Sequence, residues 1–147
     1  MESKSAWRAG KATKASRKKG GLLEAKGEEL ISLGSAEQFD DFEIELEMKV
    51  PLGSELRIAY RENEGSSDQV EAPQSGSAAA VYGAFEPGEW NRYRLRVSGT
   101  RHQLWINNRV VSDTYEGSES REGSISLQLE GSKAQTLAIR GSRIRRL

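Results

Sequence analysis

Three acids stand at alternate positions in Glu43-Ile44-Glu45-Leu46-Glu47. Paired carboxylates are the working groups of glycoside cleavage, and they sit about 5–5.5 Å apart when one of them attacks the sugar. On a straight strand residues four apart are about 13 Å apart along the backbone, so Glu43 and Glu47 need curvature or converging side chains to act on one bond. The competing reading is an exposed ladder of acids with no chemistry. His102 is the single histidine, so a Ser-His-Asp arrangement would have to use it. Its alternation with Leu104 and Ile106 puts it on a strand beside the core instead. With one histidine and no cysteine, thiol chemistry, disulfides, cysteine zinc sites and histidine-rich metal sites are excluded. Glu62, Asn63, Glu64 and Asp68 bring the hard oxygen donors that calcium takes, but their spacing fits no standard loop and reads as a solvated acidic loop. No residue pattern calls for a cofactor. Trp90 and Trp105 lie beside turns and offer flat faces for a sugar ring, with packing anchors as the plainer reading.

The elements that must hold these groups are strands. In 41–50, DFEIELEMKV, Phe42, Ile44, Leu46, Met48 and Val50 take every second position against Asp41, Glu43, Glu45, Glu47 and Lys49. Strand side chains alternate between faces, so this stretch has one apolar face and one charged face, as in an antiparallel sheet packed on one side and solvated on the other. The same period recurs in 55–61, 90–97, 101–106 and 123–130. Shorter or weaker strands are predicted over 7–16, 22–25, 29–33, 69–72, 78–82, 109–113 and 137–147. Pro51-Leu52-Gly53-Ser54 ends the central strand. Asn107-Asn108 makes a two-residue hairpin turn, since asparagine tolerates positive φ. Many short strands and no sustained helical period predict an all-β fold, an antiparallel β-sandwich of jelly-roll type. Residues 1–6 are expected to fray and 7–147 to form the sandwich domain. If the strands carrying Glu43/Glu45/Glu47 and Arg92/Arg94/Arg96 are neighbours, their outer faces form a charged ladder.

A chain of 147 residues is long enough to bury a core without staples. Twenty-two basic and 22 acidic residues cancel, but they are unevenly spread. Residues 1–20 are basic, 24–89 acidic, and the last third arginine-rich, ending in Arg140, Arg143, Arg145 and Arg146. Such a split reflects faces that complement one another on folding, a basic patch for a polyanion, or charged surfaces for a protein partner. The basic stretch has no interleaved aromatic run for base stacking, so nucleic acid is not the expected partner. No apolar run is long enough to cross a membrane and no signal peptide is recognisable, which leaves the compartment open: a native start, or a domain of an exported protein.

The segments Asp41-Phe42-Glu43-Ile44, Glu89-Trp90-Asn91-Arg92-Tyr93, Trp105-Ile106-Asn107-Asn108, Gly123-Ser124-Ile125-Ser126-Leu127-Gln128 and Ile139-Arg140 through Ile144-Arg145-Arg146-Leu147 follow one another in this order. Together, over roughly residues 20–147, they resemble the 3-keto-disaccharide hydrolase family, whose fold is the concanavalin A-like lectin/glucanase sandwich. The resemblance implies a carbohydrate ligand and hydrolysis of glycosides oxidised at C3. It places the concave face of the family at Arg57, Arg61, Glu71, Tyr82, Gln128 and Glu130. It implies Glu71 or Glu130 as acid/base, and Arg57, Arg61, Tyr82 and Gln128 as groups that hold the substrate. The chain departs from the family's pattern at Leu56-Arg57, where the family usually has Ser-Gly, at Asp68-Gln69-Val70-Glu71, where it has Tyr-Glu-x-Gln, and at Glu130-Gly131, where it has His-Gly. Scaffold residues are thus kept more fully than pocket residues, and sugar binding is expected ahead of catalysis. Two alternatives remain: a non-catalytic protein-interaction sandwich, and a laminarinase-type glycoside hydrolase, which carries Glu-x-Asp-x-Glu on one strand and would use Glu43 and Glu47.

Overall fold

The computed structural model describes residues 2–4, 7–63, 66–71, 85–115, 122–131 and 133–147. The strand expected over 78–82 lies outside them. The described residues form thirteen strands: β1 (Glu2–Lys4), β2 (Trp7–Ala9), β3 (Lys14–Arg17), β4 (Leu23–Gly27), β5 (Leu30–Ser35), β6 (Phe42–Lys49), β7 (Glu55–Asn63), β8 (Ser66–Glu71), β9 (Trp90–Ser98), β10 (Arg101–Ile106), β11 (Arg109–Tyr115), β12 (Ser124–Glu130) and β13 (Gln135–Arg146). They make two antiparallel sheets. The larger, of eight strands, runs β11-β10-β9-β6-β13-β4-β3 with β1 added beside β13; the smaller, of five, runs β2-β5-β12-β7-β8.

The core lies between the sheets, where every-other-residue polarity puts it. Phe42, Ile44, Leu46 and Met48 of β6 face Leu56, Ile58, Ile125, Leu127 and Leu129 of the smaller sheet as one buried cluster. The fold is therefore the predicted antiparallel β-sandwich of concanavalin A-like jelly-roll type. Asn107 and Asn108 both have positive φ, as the tight β10–β11 hairpin requires.

The segment 7–16, read as one irregular strand, is two strands on different sheets. Trp7–Ala9 pairs with β5 and Lys14–Arg17 with β4. Trp7 is buried, and Gly10 N donates to Ser32 O, so the chain leaves the smaller sheet only after the indole is seated.

Charge complementarity is visible across the outer face of the larger sheet. β6 pairs with β9 so that Glu43, Glu45 and Glu47 oppose Arg96, Arg94 and Arg92. On its other side β13 brings Arg145, Arg143 and Arg140 opposite the same three acids. Ion pairs join Arg145 to Glu43 at 2.9 Å, Arg143 to Glu45 at 2.8 Å and Arg140 to Glu47 at 2.5 Å, with Arg92 3.9 Å from Glu47 on the other side. Acids from the middle of the chain thus meet arginines from its end. All are partly exposed, so each pair contributes only ~0.2–1 kcal/mol.

Candidate functional site

The smaller sheet has an outer face built from the polar half of each strand's alternation. On β12 the apolar Ile125, Leu127 and Leu129 point inward, leaving Ser126, Gln128 and Glu130 outside. On β7 the buried Leu56, Ile58 and Tyr60 point inward and Arg57 and Ala59 take the opposite side, where Ala59 and its neighbour Ser126 are themselves buried, at 2% and 6% exposure. Register then does what sequence distance cannot. Gln128 pairs with Ser32 on one side and Arg57 on the other, and Arg57 pairs with Glu71. Ser32, Gln128, Arg57 and Glu71 therefore form one row across β5, β12, β7 and β8, about 14 Å long at the usual inter-strand spacing. The neighbouring row is Gly34, Ser126, Ala59 and Gln69. Its first three residues are small, so the face is lower there, and a Cβ on Gly34 would meet nothing within 4 Å. Gln128 Nε2 donates to Ser126 Oγ at 3.1 Å, which steers the amide toward this depression.

Glu130 is exposed and pairs with Glu55, two residues along from the Gln128–Arg57 pair. In the pairing, Glu71 and Glu130 stand two strands and two residues apart, about 12 Å between Cα atoms by strand geometry. That is a wide setting for a carboxylate pair that must meet at one bond.

Arg61 is not on this face. Regular alternation would have placed it beside Arg57 and Ala59. Instead its φ is 54° and the β7–β8 register shifts between Tyr60 and Asn63, so the side chain turns into the end of the sandwich. It is 1% exposed. Its Nη1 donates to Gly99 O at 2.8 Å, Nη2 to Asp41 Oδ1 at 3.1 Å and Nε to Asp40 O at 3.2 Å. Asp68 lies 3.9 Å from Nη1, so this acid of the expected solvated loop faces a buried arginine instead. Arg61 is therefore corrected from a sugar-holding group to a clamp that ties β7 to the entry of β6 and to the β9–β10 turn. Tyr82 lies outside the described residues.

The remaining chemical candidates sit elsewhere. Glu43 and Glu47 are on the outer face of the other sheet, each bound by arginine, as the ladder reading requires and a pair of catalytic acids does not. The Arg94 guanidinium lies 4.0 Å over the Trp105 ring and that of Arg140 3.9 Å over Trp90, so both tryptophans are partners of the ladder rather than of the face described here. His102 is buried, its Nδ1 2.7 Å from Tyr60 Oη between the sheets. Ser32, Gly34, Ala59, Gln69 and Ser126 join the face without having been singled out from the sequence. Their signal was the small and polar half of the β12 alternation, which takes meaning only once the neighbouring strands are known.

Two antiparallel sheets packed face to face as a jelly roll place the chain in the class of concanavalin A-like sandwich modules. Within it, the chain belongs to the family of 3-keto-alpha-glucoside-1,2-lyase-like domains, which it matches over residues 2–145. The fold is similar to that of a candidate glycosyl hydrolase from Parabacteroides distasonis, with a TM-score of 0.67 at 17% identity, covering 97% of this chain and 100% of that one. It is also similar to the carbohydrate-binding module CBM66 from Bacillus subtilis, with a TM-score of 0.66 at 12% identity over 95% of this chain and 96% of that one. A Bacillus subtilis protein of galectin-like fold has a TM-score of 0.69 at 10% identity over 95% of this chain and 89% of that one. No curated protein matches the sequence.

Proposed function

We propose that the outer face of the five-stranded sheet binds a carbohydrate, a glycoside oxidised at C3 being the ligand class, with binding ahead of turnover. The observation that carries this is the single row made by Gln128, Arg57 and Glu71, which lie far apart in the sequence and meet through the β12–β7 and β7–β8 registers. An amide offers both a donor and an acceptor and a guanidinium offers a fork of donors, the inventory that vicinal hydroxyls and a ketone require. In this reading a ring lies along the row, beside the small residues Gly34, Ser126 and Ala59. Arg57 and Gln128 hold hydroxyl and carbonyl oxygens in this reading.

Cleavage of such a glycoside can begin as an elimination, with water then adding across the new double bond to complete a net hydrolysis. A ketone at C3 acidifies the C2 proton. A base takes that proton, its electron pair forms the C1–C2 double bond, and the C1–O bond breaks as the leaving oxygen accepts a proton. One base and one acid suffice, and the two carboxylates need not flank a single bond as they do in a displacement. Glu71, in the row itself, is the base in this reading, and Glu130 the more remote acid. The experiment is isothermal titration with a 3-keto-glucoside and with the parent glucoside, run beside an assay for released sugar. The expected result is binding that prefers the keto sugar and weakens about tenfold in Arg57→Ala and Gln128→Ala, roughly the loss of one good hydrogen bond to a charged or buried partner. Binding unaffected by both substitutions refutes this assignment of the face.

A further inference from the structure

We propose that the larger sheet carries a second, independent binding site for an acidic polysaccharide, in a groove across the outer faces of β3, β4, β13 and β6. The groove has a volume of about 1070 Å³. Thr136 and Ala138 form its floor, Lys14 and Lys26 with Glu24 one wall, and Lys49 the other. Lys14 and Lys26 are direct cross-strand partners, both exposed on the same side. Like charges directly opposite one another work against the sheet. Elsewhere on this same face the rule is the reverse: Glu43, Glu45 and Glu47 each stand between two arginines. Among the described residues none of the three lysines has an ion-pair partner. Of the two acids at the groove, Glu24 lies 3.9 Å from Lys18, and Glu28 is at the end beyond Gly27. Three lysines line one concavity, two of them as a like-charged cross-strand pair, and an anion supplied from outside would relieve that cost.

The rest of the lining selects the kind of anion. Val50, Pro51 and Leu52 form an apolar lip, and Leu52 is 70% exposed. A chain of carboxylated sugars presents carboxylates to the lysines and C–H ring faces to this lip. The volume stands at the top of the ~300–1,000 Å³ range of small-ligand pockets, which suits a segment of a chain better than one ring. Nucleic acid fits less well. Trp90, cross-strand from Lys49 at the margin of the groove, has Arg140 over its ring, so no bare aromatic platform is offered to bases.

The test uses the full chain in affinity electrophoresis and titration at low salt, with polygalacturonate, fully methyl-esterified polygalacturonate and single-stranded DNA as probes. One triple variant is Lys14→Ala, Lys26→Ala, Lys49→Ala. A second removes the same charge elsewhere on the larger sheet: Arg101→Ala, Arg109→Ala, Arg145→Ala. All six side chains are exposed, and thermal midpoints confirm that both proteins fold. The expected result is salt-sensitive binding of polygalacturonate but not of its ester, about tenfold or more weaker in the lysine triple and within about twofold in the arginine triple. Equal losses in both triples overturn the site in favour of diffuse attraction. Binding of the ester, or DNA binding as tight as that of polygalacturonate and lost with the same lysines, overturns the ligand class. No binding of polygalacturonate by the wild type overturns the proposal. None of these outcomes bears on the 3-keto-glucoside titration, which reads the opposite sheet.

Discussion

Arg61→Ala separates a clamp from a ligand contact. The wild-type guanidinium is 1% exposed and donates to Asp41 Oδ1, Gly99 O and Asp40 O. Truncation removes one donor each from two carbonyls and one carboxylate oxygen, and leaves a hole where the side chain ran. Removing one member of a buried charge pair typically costs about 3–5 kcal/mol. Two features lower the figure here. The Asp41 side chain is 36% exposed, so water can replace part of the loss, and Gly99 N still donates to the same Oδ1 at 2.9 Å. A loss of about 3 kcal/mol is the worked expectation. For a domain of this size it lowers the thermal midpoint by ~6–12 °C. Arg61→Lys keeps the charge but not the fork, so it should lose roughly half as much. Urea unfolding followed by tryptophan fluorescence gives the stability, and titration of a 3-keto-glucoside at a temperature where the variant is folded gives the binding. A stability change below about 1 kcal/mol together with a tenfold loss of sugar affinity would refute the clamp and return Arg61 to the ligand face.

Two further substitutions probe the same architecture. A Cβ at Gly123 would lie 2.3 Å from Arg61 C and 2.5 Å from Glu62 N, backbone atoms that cannot swing aside. Gly123→Ala should therefore cost about 3 kcal/mol or more, and a midpoint within about 3 °C of wild type would contradict the close approach. Lys26→Glu converts the Lys14–Lys26 cross-strand pair from like to opposite charges. It should stabilise the sandwich by ~0.2–1 kcal/mol while abolishing polygalacturonate binding, a gain in midpoint without binding that neither a plain surface lysine nor a folding residue would show.

Most of the fold was legible because a half-buried strand writes its orientation into every second residue. DFEIELEMKV could be placed dry side and wet side with no knowledge of its neighbours, and β6 has that orientation, its even-numbered residues buried from Phe42 to Met48. The Asn107-Asn108 hairpin was legible for a similarly local reason, since positive φ is a property of the residue. The ladder needed one thing more, the adjacency of β6 and β9, but matched triplets of Glu and Arg already carried its register. Where reading failed, local pattern met a break in the pattern. The segment 7–16 carries no signal for leaving one sheet and joining the other, because that depends on where the Trp7 indole finds burial.

The candidate face shows the same division. Alternation alone says that Arg57 and Gln128 point away from the core. That they point the same way, side by side, follows from strand pairing between distant segments, a non-local property. Arg61 makes the limit plain: period two puts it with Arg57, and a single residue at positive φ on the margin of a register shift turns it into the end of the sandwich, where Asp41 and the Gly99 carbonyl were already waiting. Inside versus outside was thus encoded residue by residue. Which outward residues share a site was set by pairings and bulges, because hydrogen-bonded register joins stretches of chain that no local period connects.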